Sequence, residues 1–155
     1  MKWSPRTLRT GLNLYGPYLG AGVKVHYIAD DWREVRVSMK LRWYNRNAVG
    51  THFGGSLYAM VDPHLMLMLM HLLGDGYVVW DKAAHIDFKK PGRGAVHSTI
   101  RLTDGDLDWI RRQTVGGKTC LPEFDLEIVD GNGSLIAVVK KVLYVRGKSE
   151  RVRSA

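Results

Sequence analysis

The sequence predicts an α+β fold, with one antiparallel sheet of about six strands wrapped around one long, buried helix. Three observations carry this reading. In residues 34–43, Val35, Val37, Met39 and Leu41 alternate with Arg36, Ser38, Lys40 and Arg42, the period of a strand with one buried face. Residues 56–73 are apolar on nearly every side, and a helix without a polar face needs something larger around it. From residue 77 onward the chain is a series of strand-like runs separated by turn residues.

The elements follow in order along a single domain, residues 1–155. A short helical region is expected over about 5–19, around Gly16 and Pro17. Residues 23–28 read as a strand, Asp30 and Asp31 as a turn, and 34–43 as the second strand. Residues 45–55 are a loop rich in glycine and asparagine. Residues 65–70 read Leu-Met-Leu-Met-Leu-Met, which suits a strand, but both side chains are unbranched helix formers and the segment is long, so 56–73 reads as helix. Pro63 removes one backbone bond and predicts a bend near Ala59, and Gly74, Asp75 and Gly76 stop the helix. Strands are expected at 77–88, 95–102, 123–129 and 135–145, the last two joined by a turn at Asp130-Gly131-Asn132-Gly133. Residues 146–155 read as a frayed basic tail.

Composition narrows the classes. The 155 residues are 45% hydrophobic and 25% charged, which excludes disorder and collagen-like structure and suffices for a real core. The one cysteine, Cys120, can form neither an internal disulfide nor a zinc site of several thiolates, and reads as a small apolar residue of a cytoplasmic protein. The longest unbroken apolar run, residues 65–70, is far short of the roughly 20 residues that a bilayer needs. The basic start is not followed by the apolar stretch of a signal peptide. Twenty-three basic residues against 15 acidic ones give a net charge of +8, which favours an anionic partner such as a phosphorylated cofactor, nucleic acid or a membrane surface. The bases avoid residues 47–79 and flank them on both sides.

Several sites fail on spacing. Asp104, Asp106 and Asp108 begin like a calcium loop, but Trp109 and Val115 stand where it needs Gly and Glu, so the stretch reads as an exposed acidic turn. His64 and His71 lie about 10 Å apart along a helix, too far to share a metal. Neither a P-loop nor a G-x-S-x-G elbow is present. Trp32, Trp43 and Trp80 occur singly on predicted strands and read as core, as do Met60, Met66 and Met68.

The segment from Asn47 to Asp62 is left. Gly54 and Gly55 stand at a helix start, where free N–H groups can receive a developing oxyanion and glycine leaves room for a substrate to reach them. Asp62 is a carboxylate in an apolar helix with no base nearby in sequence, so it needs a partner or a job. Capping where the helix breaks at Pro63 is the alternative.

Here the sequence resembles the hotdog-fold acyl-CoA thioesterases of the phenylacetic-acid-degradation type. Their pattern is an Asn, a Gly-containing loop, His-Gly-Gly, and an acid seven residues after the second Gly. Asn47 stands seven before Gly54, and Asp62 seven after Gly55. Ile86, Phe88, Pro91 and Gly94 are similar to the strand and loop that follow the helix in that family. The wider R-N-x-x-G-T-H-F-G-G-S-L-Y-A-M-x-D-P resembles an uncharacterised branch of hotdog proteins, the DUF4442 group, over roughly residues 23–145. The family's His before Gly-Gly is Phe53 here, with His52 one place earlier and able to take over its orienting role.

The resemblance implies hydrolysis of an acyl-CoA thioester without a metal or separate cofactor, CoA being part of the substrate. Asp62 would act as base or nucleophile, Asn47 would position water or the carbonyl, and the amide of Gly55 would hold the oxyanion. Gly54, Phe53 and His52 would line the substrate site. Lys82, Lys89, Lys90 and Arg93 would meet the phosphates of CoA, with Arg111 and Arg112 the alternative. Seven residues advance a helix by about 10 Å, so Asp62 would serve Gly54 and Gly55 of a second chain, which implies a homodimer or homotetramer. Two alternatives stay open: a non-catalytic acyl-CoA binder of the same fold, and a basic nucleic-acid-binding module. A dehydratase would need a His and acid arrangement not seen here.

Overall fold

The computed structural model describes residues 3–148. The N-terminal region is two helices, α1 (Pro5–Leu14) and α2 (Gly16–Ala21), divided at Tyr15 because Pro17 can only open a new helix. Ser4 caps α1 by accepting from Thr7 N at 3.1 Å. Then follow β1 (Val23–Ile28), β2 (Glu34–Lys40), α3 (Gly54–Val61), α4 (His64–Leu73), β3 (Tyr77–Phe88), β4 (Ala95–Arg101), α5 (Asp104–Gln113), β5 (Thr119–Cys120), β6 (Glu123–Asp130) and β7 (Leu135–Gly147).

The sheet has seven strands, one more than expected, in the order β1-β2-β4-β6-β7-β3. The extra strand, β5, pairs with Val145 and Arg146 of β7, while β6 pairs with residues 135–142. The two therefore follow one another along the same edge of β7. All pairings are antiparallel. Alternation along the strands sends Val35, Val37, Met39, Val96, Ile100, Val139 and Leu143 into one core with Met60, Leu65, Met68 and Leu69 of α3 and α4. This is the hotdog arrangement, one sheet curled around a central helix.

Several expectations are corrected. The long helix is broken at Asp62-Pro63, not bent near Ala59, because Pro63 has no N–H to continue the ladder and opens α4 instead. Only one face of the helix pair is fully buried; Tyr58, Met66, Leu67 and Met70 are half-buried. By length and mean hydropathy the stretch Gly54–Leu73 could cross a membrane, but that inner face is packed into the core. Strand β2 ends at Lys40, so Leu41 to Trp43 leave the sheet.

The acidic stretch at 104–108 opens a helix. Thr103 and Asp106 form a capping box, two aspartates sit in the first turn where the dipole favours them, and Leu107 and Ile110 are fully buried. Of the tryptophans, Trp43 is 84% exposed, Trp80 stacks on Tyr144 at the surface, and Trp32 stacks on His71 at 3.4 Å. They are not core. Met60 and Met68 are. Arg146 and Gly147 belong to β7, Lys148 follows them with its N–H bonded to the Gly76 carbonyl at 2.8 Å, and residues 149–155 of the expected tail lie outside the described residues.

Candidate functional site

The loop before α3 is tied down by Asn47. Its Oδ1 accepts from Val49 N at 3.1 Å and Thr51 N at 3.0 Å, and its Nδ2 donates to Thr51 Oγ1 at 2.9 Å and the His52 carbonyl at 3.2 Å. The amide is thus committed within the loop. His52 ties that loop to the one after β3. Its N–H donates to the Gly92 carbonyl at 3.0 Å, and Nε2 donates to the Gly94 carbonyl at 2.9 Å. Burial holds the imidazole below its ordinary pKa, so it is neutral at physiological pH. Gly92 fits this crossing closely, since a Cβ there would lie 3.1 Å from Ile136 and 3.2 Å from His52 and would press on both side chains.

Helix α3 starts at Gly54 as expected, with Phe53 at its N-cap. The first N–H groups bonded back are those of Ser56 and Leu57, to the Phe53 carbonyl, so those of Gly54 and Gly55 have no partner among the described residues. The space over the glycines is taken by aromatic rings. A Cβ at Gly54 would come within 2.8 Å of Phe88, and one at Gly55 within 2.5 Å of Phe53. Glycine here admits these two exposed rings, a use that the sequence does not reveal.

A groove of about 550 Å³ gathers six of the sequence-predicted residues, Asn47, His52, Gly54, Lys89, Lys90 and Arg93. Lys89 is paired with Asp87, and Lys82 does not line this groove. Arg111 and Arg112 stand apart from it on the exposed side of α5. A second, mainly apolar groove of about 460 Å³ is lined by Gly54, Gly55, Tyr58, Ala84, Ile86 and Phe88. Gly54 and Phe88 line both, so the basic groove and the apolar one adjoin at the start of α3.

Asp62 is not gathered into either groove, and it is not unpaired. It closes α3, and its Oδ1 accepts from the Tyr58 hydroxyl at 2.5 Å and from Lys141 Nζ at 2.7 Å. Lys141, on β7, is fully buried, and its ammonium also lies 2.9 Å from Asp81 Oδ1 on β3. Burial would lower the Lys141 pKa, but the hydrogen bonds and charges of the two aspartates outweigh it and hold the ammonium above its ordinary range. Burial pushes the Asp81 carboxyl up, with Lys141 opposing. It also raises the Tyr58 hydroxyl, helped by Asp62. Capping of α4 by Asp62 is not what the structure has.

Tyr58, Asp81 and Lys141 were missed from the sequence. One signal was available for Lys141: period two along β7 places it on the inner face with Val139 and Leu143, and Lys140 on the outer face. Chemically, the arrangement offers a half-exposed carboxylate with one oxygen held by two donors and the other free among the described residues.

Residues 5–145 match the family described as "Domain of unknown function (DUF4442)". No curated protein matches the chain. Among solved structures, the chain resembles a Pseudomonas aeruginosa protein of unknown function described as a probable thioesterase, at 18% identity and a TM-score of 0.78, covering 92% of this chain and 96% of that one. It also resembles a thioesterase from Haemophilus influenzae, at 15% identity and a TM-score of 0.67, covering 99% and 97%. The E. coli PaaI protein from the phenylacetic acid degradation operon matches at 16% identity and a TM-score of 0.63, covering 93% and 94%. At these identities the likeness is one of fold.

Proposed function

The chain belongs to the DUF4442 family, and from that premise, joined to the site geometry, we propose that it hydrolyses an acyl-CoA thioester to the free acid and CoA. The observation that carries the reading is a carboxylate, Asp62, held by two donors on one oxygen and free on the other, on the helix whose first amides are unbonded. The basic groove at Lys89, Lys90 and Arg93 suits the phosphates of CoA, and the apolar groove beyond Gly54 suits the pantetheine arm and acyl chain. The thioester carbonyl oxygen would accept a hydrogen bond from the Gly55 N–H, and Asp62 would activate water or attack directly. Asn47 and His52 would position the loops, Asn47 through its bonds to Val49, Thr51 and the His52 carbonyl and His52 through Nε2 to the Gly94 carbonyl.

Along the axis Gly55 and Asp62 of one chain are about 10 Å apart, so the site is completed by a second copy. Two features support a homodimer. Strand β3 is a 12-residue edge whose outer side has no partner among the described strands, and such a long open edge is normally covered. The half-buried outer face of α3 and α4 is apolar. In the dimer Asp62 of one protomer would meet Gly54 and Gly55 of its partner.

A panel of acyl-CoAs with a thiol reporter tests the reading. Asp62→Asn, which can neither accept a proton nor attack, should lose roughly 100-fold or more in kcat while remaining folded. Near-normal turnover by this variant would make Asp62 structural and the mechanism wrong. A non-catalytic acyl-CoA binder is the second reading, favoured by the Phe53 ring over Gly55. Binding of acyl-CoA without thiol release from any member of the panel would establish it.

A further inference from the structure

A fully buried lysine is costly unless its partners repay the desolvation, and here Lys141 has three: Asp62 Oδ1 at 2.7 Å, Asp81 Oδ1 at 2.9 Å and the Tyr58 hydroxyl at 3.3 Å. An apolar residue at 141 would suit its neighbours Val139 and Leu143 better, so plain packing does not account for the choice. The ammonium and the Tyr58 hydroxyl both converge on the same oxygen of Asp62. No donor among the described residues reaches Oδ2, and the side chain is 40% exposed.

We propose that Lys141 is a positioning residue for Asp62. Anchored at its other side by Asp81, its ammonium fixes Oδ1 together with Tyr58, so that Oδ2 is the oxygen presented to the thioester. The elements that pack here explain why this must be built from three of them. Asp62 closes α3 with its N–H still bonded to the Tyr58 carbonyl at 3.1 Å, and the helix breaks at the Pro63 that follows. The helix therefore fixes its backbone, while its carboxylate is held by groups from the sheet and from Tyr58. Lys141 comes from β7 and Asp81 from β3, two strands paired in register at Asp81 and Leu143. The sheet thus holds the side-chain oxygen in place at the point where the helix ends. Tyr18 and His64, the other titratable groups facing Asp62 from α2 and α4, bond to each other at 2.8 Å and leave Oδ1 to Lys141 and Tyr58.

The inference rests on the thioesterase reading, and the experiment separates the two. With the unsubstituted protein turning over an acyl-CoA, Lys141→Met should lower kcat roughly 100-fold and leave KM within about threefold, because the lysine does not touch the nucleotide groove. Lys141→Ala opens a cavity that fits the missing propylamine arm, reachable along the half-exposed Asp62. Added propylammonium should restore kcat roughly tenfold or more, propanol should not, and neither should rescue Asp62→Asn combined with Lys141→Ala. A merely structural lysine would lose stability without this amine-specific recovery. Should the buried-site variants fail to fold, Tyr58→Phe and Asp81→Asn keep the ammonium in place, and each should cost about three- to tenfold in kcat, since each removes one hydrogen bond or anchor. Normal kcat in Lys141→Met, or loss of kcat in folded Lys141→Ala that no amine recovers, would overturn the role. So would normal kcat in both Tyr58→Phe and Asp81→Asn. If the unsubstituted protein releases no thiol from any acyl-CoA, the thioesterase reading itself falls, and the role with it.

Discussion

His64 should make the fold sensitive to mild acid, and its surroundings give the size of the effect. The ring is buried where α2 meets α4, with Nε2 2.8 Å from the Tyr18 hydroxyl and 3.2 Å from the Met60 carbonyl. Burial lowers its pKa from 6.5 to about 4, against the opposing pull of the Met60 carbonyl and the Asp62 charge. Between those values the folded protein holds a neutral imidazole and the unfolded chain an imidazolium. The unfolded state therefore binds the extra proton, and stability rises with pH across the window. It is complete above 6.5 and lost as pH falls toward 4, a difference of about 3 kcal/mol. The perturbation is His64→Gln, which keeps an acceptor for Tyr18 and gains no proton. Urea unfolding followed by tryptophan fluorescence, at one protein concentration, should show the parent losing about 2.5 kcal/mol more than the variant between pH 7.5 and 4.5, or roughly 5–10 °C in Tm. His26 and His52, also held low, add slopes of the same sign, and Asp81, held high, one of opposite sign. These occur in both proteins and cancel in the difference. Parallel curves of stability against pH for the two proteins would refute a neutral, desolvated His64.

Two further outcomes follow from the grooves and the open edge. Replacing Lys90 and Arg93 together by Ala should raise KM for acyl-CoA, more so at low salt, and leave kcat nearly unchanged, because no charge develops at the phosphates during hydrolysis. A short thioester lacking the nucleotide should be hydrolysed equally by both forms; a shared fall in kcat would place the loop in the catalytic scaffold. Sedimentation at micromolar concentration should give at least a dimer, and an active monomer of 17.5 kDa would refute a site shared between chains.

Local pattern determined much of this protein. The alternation in β2 and β6, the turn at Asp130 where Oδ1 accepts from Asn132 N and Ser134 N, and the start of α3 at Gly54 all rest on interactions between near neighbours in the chain, and the sequence shows them. The loop that pairs Asn47 with Thr51 is local in the same way. Helix α5 was hidden for a chemical reason: Asp104, Asp106 and Asp108 look like a solvated turn, and only two apolar positions, Leu107 and Ile110, mark the buried stripe. The aromatic rings over Gly54 and Gly55, and the meeting of Asn47 with Lys90 and Arg93, required the 89–94 loop to fold back on the 45–53 loop through His52. Asp62 marks the boundary most clearly. The sequence determined that a carboxylate stands where an apolar helix breaks. Only the tertiary structure decided that it is paired, because its lysine lies 79 residues away and is delivered by the register of β7 against β3, a long-range arrangement that no local periodicity encodes.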